Sequence, residues 1–174
     1  MSMRSCILTA MGLVVCNTAL GESPNLGRVV GPEEIATWDI SIRPDGAGLP
    51  PGSGTSRQGE AVYIAKCLAC HGEKGVGKPN DVLVGGRGTL PGEQAVVKTV
   101  GSFWPYATTL FDYVRRAMPL NESKSLSSDE VYAVVAYLLQ INGIIGEKDT
   151  MNAQTLPKVR MPNADGFVTF ERGK

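Results

Sequence analysis

Five consecutive residues, Cys67-Leu68-Ala69-Cys70-His71, constrain this chain more than any other feature of its sequence. They form the pattern C-x-x-C-H, which is the attachment signature of haem c. Two thiols at this spacing match the two vinyl groups of a haem, across which they add, and the histidine that follows is held beneath the iron. The pattern therefore predicts one covalently attached haem c, bound through Cys67 and Cys70, with His71 as an iron ligand.

The N-terminal residues decide how many cysteines the mature chain has. Residues 1–21 carry one cation, Arg4, then an apolar run, then small residues that end at Gly21, which is the order of a secretory signal peptide. A retained membrane anchor is the less favoured alternative, because the apolar run is short for a helix that crosses a bilayer. We therefore expect export to the periplasm, cleavage after Gly21 and no stable membrane insertion. Cleavage removes two of the four cysteines, Cys6 and Cys16.

Two other uses of paired cysteines are disfavoured by the residues that remain. A structural zinc site takes four ligands, whereas the mature chain offers three of the soft type: Cys67, Cys70 and His71. A thioredoxin-like dithiol would lie in a βαβ context, and no such pattern is present. The 174 residues suffice for one domain with a core, and their 17 basic and 17 acidic residues give no reason to expect nucleic acid as a partner.

Capping signals and apolar spacing predict three helices, over about residues 55–66, 109–118 and 127–143. Pro119 ends the second helix and Gly143 closes the third. The third has apolar residues at helical spacing, namely Val131, Val134, Val135, Leu138 and Leu139. The three helices begin at the capping boxes Thr55 to Gln58, Thr109 to Asp112 and Ser127 to Glu130. No alternating strand pattern is convincing anywhere in the chain.

These elements divide the mature chain into three parts. Residues 55–142 form the helical domain, between an irregular N-terminal arm, residues 22–54, and an irregular C-terminal tail, residues 143–174. Glycine and proline recur through the arm, which no long helix or strand could accommodate. The arm also contains the apolar residues Trp38 and Ile40. We expect these two to lie against a surface, either that of their own domain or that of a partner.

The sixth ligand of the iron is constrained by the histidine count. His71 is the only histidine of the chain, so a second intrachain histidine ligand is excluded, and the position is held by methionine, by a weaker donor or by none. Met118 is the best placed methionine, because Pro119 ends the helix there and can turn the thioether towards the iron. Met161 is an alternative ligand, and Met118 as a core residue is another alternative. Ligation by histidine and methionine raises the reduction potential.

Other residues are expected to support the haem. The carbonyl group of Pro79 is a candidate acceptor for the Nδ1 proton of His71, which would fix the orientation of the ring. The candidate donors to the haem propionates are Arg87, Trp104 and Tyr106. The tyrosines expected to pack between helices are Tyr63, Tyr132 and Tyr137.

The haem signature, the Met118-Pro119 pair and the capped third helix together resemble a class I cytochrome c domain over residues 55–142. That resemblance implies an all-α fold with three main helices around one haem. A closer resemblance extends over most of the mature chain. The segments at residues 38–54, 98–119, 125–134 and 156–167 are similar to the cytochrome subunit of periplasmic sulfite or sulfur dehydrogenases.

In that family a haem subunit docks on a molybdenum-cofactor catalytic subunit, which oxidises sulfite or protein-bound sulfur. The resemblance implies that this chain is an electron-transfer subunit rather than an enzyme, and that it passes electrons to a soluble cytochrome c. It also implies haem attachment at Cys67 and Cys70, axial ligation by His71 and Met118, and an arm and tail that wrap the partner. Some members carry a second haem domain, whereas this chain has one C-x-x-C-H pattern, which leaves the substrate open.

Two functions of other classes remain as alternatives. One alternative is a free-standing periplasmic electron carrier with one haem, and the other is a haem enzyme or ligand sensor. A free carrier needs no arm and tail beyond its haem domain. An enzyme or sensor needs an open coordination site, and the chain has no second histidine to act as acid or base.

Overall fold

The computed structural model describes residues 26–90 and 95–167, so the predicted signal peptide, residues 1–21, lies outside the described residues. The regular structure of the described residues is mainly helical, with one small sheet and three short 3-10 turns. The α-helices are α1 (Pro32–Trp38), α2 (Ser56–Lys66), α3 (Leu68–His71), α4 (Ala107–Ala117) and α5 (Ser128–Ile141). The strands are β1 (Ser53–Thr55) and β2 (Thr150–Asn152), and the 3-10 turns are Glu73–Gly75, Leu120–Glu122 and Leu156–Lys158.

Helices α2 and α5 begin at the capping boxes that the sequence predicts. The Thr55 hydroxyl accepts a hydrogen bond from the Gln58 backbone N–H, and the Gln58 side chain accepts one from the Thr55 backbone N–H. Ser127 and Glu130 form the same pair at the start of α5. Each box satisfies two backbone donors that the first turn of a helix leaves without a partner. Helix α2 then runs to Lys66, the residue directly before the C-x-x-C-H motif.

Helix α5 is the centre of the fold. Its nine consecutive residues from Val131 to Leu139 are all buried, so the helix is covered on every side. Helix α2 crosses α5 at a glycine, because a methyl group at Gly59 would overlap the backbone carbonyl of Ala133. One turn further on, the rings of Tyr63 and Tyr137 pack with their centroids 5.2 Å apart. This close crossing fixes the end of α2, and therefore the start of the motif, against the core.

Helix α4 begins at Ala107, two residues before the predicted start at Thr109, so that prediction was wrong. The residue before the helix, Tyr106, supplies no side-chain cap. Contacts from outside the helix hold its start instead, since Tyr106 forms a β-bridge with Arg160 of the tail. The Thr108 hydroxyl also donates to the carbonyl of Pro44 in the arm, at 3.1 Å.

The arm and the tail contain short regular elements that the sequence pattern did not predict. Strands β1 and β2 pair antiparallel with Ser53 opposite Asn152, and three residues are too few to display an alternating pattern. Helix α1 lies in the arm. The tail contributes to the core through Met151, Leu156 and Met161, all of which are buried.

Trp38 and Ile40 differ in their surroundings. The side chain of Trp38, at the end of α1, is 81% exposed, so it does not lie against its own domain. Ile40 is partly buried. Over residues 26–90 and 95–167, none of the helices has both the length and the apolar character that crossing a membrane requires.

Candidate haem-binding site

The C-x-x-C-H motif is a short helical turn attached to the end of α2. Cys67 is both the C-cap residue of α2 and the N-cap residue of α3. The His71 backbone N–H donates to the Cys67 carbonyl at 2.9 Å. Gly72 then reverses the chain with φ +72°, a conformation that favours glycine. Cys67 is partly buried and Cys70 is exposed, and no disulfide bond joins the two. Burial raises the pKa of the Cys67 thiol to about 11, so this thiol is protonated at neutral pH.

Both thiols and the imidazole of His71 line one cavity of about 1060 Å³. Met118 lines the same cavity. Most of the remaining wall is apolar and comes from the core, including Leu83, Val100, Leu110, Val114, Val134 and Leu138. The cavity is at the upper end of the size of cofactor sites, and such sites combine apolar walls with a few placed polar groups. Its donors, two thiols, an imidazole and a thioether, are those that a haem c requires.

A backbone carbonyl fixes the ring of His71, although it is not the carbonyl of Pro79 that the sequence suggested. The His71 Nδ1 atom lies 2.9 Å from the carbonyl oxygen of Asp81. The loop returns over the motif because the Asn80 backbone N–H donates to the Cys70 carbonyl at 2.9 Å, which carries Asp81 to the ring. With its proton on Nδ1, the imidazole has Nε2 available to bind a metal ion.

The three methionines of the described residues lie in different surroundings. Met118 follows the last residue of α4 in an extended conformation, with φ −116° and ψ 146°, and Pro119 prevents the helix from continuing. Met118 contributes to the cavity wall, whereas Met151 and Met161 do not. Met161 is 2% exposed and packs in the core. The geometry therefore favours Met118 over Met161 as a ligand, and its ligation of the iron stays a prediction.

Of the three residues suggested as donors to the haem propionates, Trp104 alone lines the cavity. The Arg87 guanidinium instead donates to the carbonyl of Asn142 at 3.1 Å, and Tyr106 is partly exposed at the start of α4. A cation that the sequence reasoning missed, Lys98, is on the cavity wall. Its ammonium group lies 5.1 Å from the centre of the Phe103 ring. A single lysine carries no motif, so only the fold could identify it.

Tyr63 does more than pack between helices. Its hydroxyl donates to the carbonyl of Gly72, the residue after His71, at 2.7 Å. Burial raises the pKa of Tyr63 to about 12, so the phenol is neutral and remains a donor over the physiological range. The bond ties the C-terminal end of the motif to helix α2, and it was not predictable because it joins residues nine positions apart through a glycine turn.

The described part of the chain contains no group of three or more His, Cys, Asp or Glu side chains that could hold a metal ion. A zinc site at Cys67, Cys70 and His71 therefore has no support from this geometry. The cavity instead fits a haem c, which two cysteines attach and whose iron takes nitrogen and sulfur ligands.

Comparisons with known proteins agree with the geometry. The family model described as cytochrome c oxidase, cbb3-type, subunit III matches residues 54–138. The thiosulfate dehydrogenase of Allochromatium vinosum is 30% identical over 123 residues, which cover 69% of this chain and 40% of that protein. The chain thus spans less than half the length of this curated relative.

A solved structure is similar over a larger share of both chains. A chain in the crystal structure of the sulfane dehydrogenase SoxCD from Paracoccus pantotrophus is 42% identical, with a TM-score of 0.78. The match covers 86% of this chain and 74% of that chain.

The fold and the cavity define a class I cytochrome c domain, as the sequence predicted. Within that class, the chain belongs to the cytochrome c subunits of the sulfur dehydrogenases. It is an electron-transfer component and not a catalytic subunit.

Proposed function

We propose that this chain binds one haem c covalently through Cys67 and Cys70, with His71 and Met118 as its axial ligands. With that group bound, the chain would accept electrons one at a time from a molybdenum-cofactor catalytic subunit and pass them to a soluble cytochrome c. The observation that carries this proposal is the single cavity whose wall contains both thiols, the imidazole and the thioether. We further propose that the signal peptide, residues 1–21, is removed and that the mature subunit acts in the periplasm.

The side chains around the cavity have distinct tasks in this proposal. The bound haem supplies one-electron oxidation and reduction. Cys67 and Cys70 would hold it through thioether links, and the Asp81 carbonyl keeps the proton of His71 on Nδ1, which leaves Nε2 available to bind the iron. The apolar wall excludes water, and with the thioether of Met118 it favours the reduced form and a raised potential.

A permanent partner is supported by the apolar side chains that the arm leaves exposed. Trp38 and Ile35 lie on α1, Val29 precedes it, and more than half of each side chain is exposed. A carrier that moves freely between complexes gains nothing from exposing large apolar groups. The similar SoxCD structure is that of a sulfane dehydrogenase and the curated relative is a thiosulfate dehydrogenase. We therefore propose reduced sulfur, rather than sulfite, as the substrate of the assembled complex.

Co-purification tests the partnership. The tagged mature chain is expected to purify with a second subunit that contains molybdenum, at one iron per cytochrome chain. Replacing Trp38 by Asp is expected to weaken the binding of that subunit at least tenfold and to leave the haem spectrum unchanged, since Trp38 is not among the residues of the cavity wall. Replacing Ile64 by Asp is the matched control and should leave the partner bound, because Ile64 is an exposed apolar residue of α2 that lies outside both the arm and the cavity wall. A monomer without a molybdenum-containing companion would support the free carrier instead.

Replacing Met118 by Ala tests the ligand assignment. We expect the ferric protein to lose the near-infrared band that arises from thioether-to-iron charge transfer. The reduction potential should fall by a few tenths of a volt, within the span of about 0.8 V that axial ligands control. Met161→Leu, a volume-conserving change in the core, is the control and should alter neither quantity. An unchanged ferric spectrum in the Met118 variant would exclude this residue as the ligand.

A further inference from the structure

An ion pair spans the haem cavity between the two segments that supply its ligands. Lys66 is the last residue of α2 and directly precedes Cys67, and Glu122 ends the 3-10 turn Leu120–Glu122 that follows Met118. The Lys66 Nζ atom lies 3.0 Å from Glu122 Oε2. Both residues are on the cavity wall. The pair therefore joins the covalently attached side of the site to the side that carries the methionine.

The segment after Met118 has few other attachments. The backbone hydrogen bonds of residues 119–125 are local, from Glu122 to Pro119 and from Ser125 to Glu122. Among the described residues, the Lys66–Glu122 contact is the one hydrogen bond that joins this segment to another part of the chain. Leu120 lies on the cavity wall beside Pro119 and Asn121, so this turn packs against the haem site and not against the core. The Lys66–Glu122 contact is therefore the polar link that ties the turn to helix α2.

We propose that Lys66 and Glu122 are positioning residues for the sixth iron ligand, an inference that rests on the proposed ligation by Met118. The pair holds residues 119–125 against the end of α2, whose next residue, Cys67, is attached to the haem. An external ligand can reach the iron only when this segment moves and Met118 leaves. Breaking the pair makes that movement easier without changing any ligand.

The expected effect is modest, because both side chains are partly exposed. Lys66 is 41% exposed and Glu122 is 49% exposed. An ion pair this exposed changes the equilibrium constant of the movement that it opposes by up to about fivefold. Such pairs weaken as salt screens the charges. Lys66 also faces Glu130, whose pKa is lowered mainly by hydrogen bonds from Ser127 and in small part by Lys66. The substitution Glu122→Gln is thus the cleaner one, since it leaves Lys66 near a carboxylate.

The test measures imidazole binding to the ferric holoprotein by the change in its visible spectrum. At low ionic strength, Glu122→Gln is expected to bind imidazole two- to fivefold more tightly than the natural chain, and at molar salt the two should converge. The double variant Lys66→Gln with Glu122→Gln should bind imidazole nearly as Glu122→Gln does, because the pair is already broken in the single variant. The charge-swapped variant, Lys66→Glu with Glu122→Lys, should return towards the natural affinity.

A matched control and the Met118→Ala variant separate the possible outcomes. Glu34→Gln breaks the exposed ion pair between Arg28 and Glu34 in the arm, at 2.7 Å, and should leave imidazole affinity unchanged. If Met118→Ala alters the spectrum as expected but Glu122→Gln binds imidazole like the natural chain, the ion pair has no positioning role. If Met118→Ala leaves the ferric spectrum unchanged, the ligation by Met118 and the role of the pair are both overturned.

Discussion

Replacing Cys67 and Cys70 together by serine is expected to abolish covalent haem retention and to unfold the domain. Serine hydroxyls do not form thioethers with the haem vinyl groups, so haem staining after denaturing electrophoresis should disappear. Each single variant should keep one link and stain more weakly. Ala69→Ser, an exposed change between the two cysteines, is the control and should stain normally. Covalent haem in the double variant would show that the thiols are not the attachment points.

The loss of fold follows from the cavity that the haem fills. Without the group, a space of about 1060 Å³ inside the helical domain has apolar walls and nothing to cover them. Burying one large apolar side chain stabilises a protein by about 1.5–3 kcal/mol. Several such contributions, from cavity residues that the protein itself leaves partly or largely exposed, such as Leu83, Trp104 and Leu120, are comparable with the 5–15 kcal/mol or so that stabilises a typical domain. Circular dichroism should show loss of the near-ultraviolet signal of fixed aromatic side chains, with weakened helical signal.

Replacing Gly59 by Ala is expected to destabilise the holoprotein by about 3 kcal/mol or more, at the upper end of overpacking effects. The added methyl group would overlap the Ala133 carbonyl and lie 2.9 Å from the Cβ atom of Tyr137. Relief requires α2 to move away from α5, since the nearest obstacle is backbone. Helix propensity alone predicts the opposite sign, because alanine is favoured over glycine in a helix by about 0.5–1 kcal/mol.

Denaturant unfolding of the holoprotein measures this effect. Glu60→Ala changes the next, exposed residue of the same helix, and its free energy of unfolding should stay within about 0.5 kcal/mol of the natural value. A Gly59→Ala variant as stable as the natural chain would mean that the two helices do not cross as closely as the structure has them.

The features that the sequence predicted correctly depend on residues close together in the chain. The starts of α2 and α5 follow from capping boxes four residues long, and the end of α4 follows from Pro119. The start of α4 was not predictable from such signals, because a bridge to Arg160 and a hydrogen bond to Pro44 hold it. Short strands escape prediction for the same reason, since β1 and β2 are almost 100 positions apart and each finds its hydrogen-bonding partner only in the folded chain.

The site was predictable to a similar degree. The two thiols and His71 are contiguous, and counting histidines and methionines led to Met118, which does line the cavity. The acceptor for His71 was misassigned by two residues, because the path of the loop after Gly77 depends on its bonds to Cys70 and His71. Lys98 and Glu122, the ion-pair partner of Lys66, were missed because only the tertiary fold brings them to the cavity wall.

The burial of the tail has a consequence for any attempt to transplant this haem module. All four predicted ligand and attachment residues lie before residue 119, and the family match ends at residue 138. Strand β2 nevertheless pairs with the strand that precedes α2, and the Asn163 side chain donates to the Phe103 carbonyl just before α4, at 2.8 Å. A chimera that stops after α5 would keep every residue of the cavity wall and lose the residues that hold both bordering helices in place. The smallest portable module therefore extends to about residue 163.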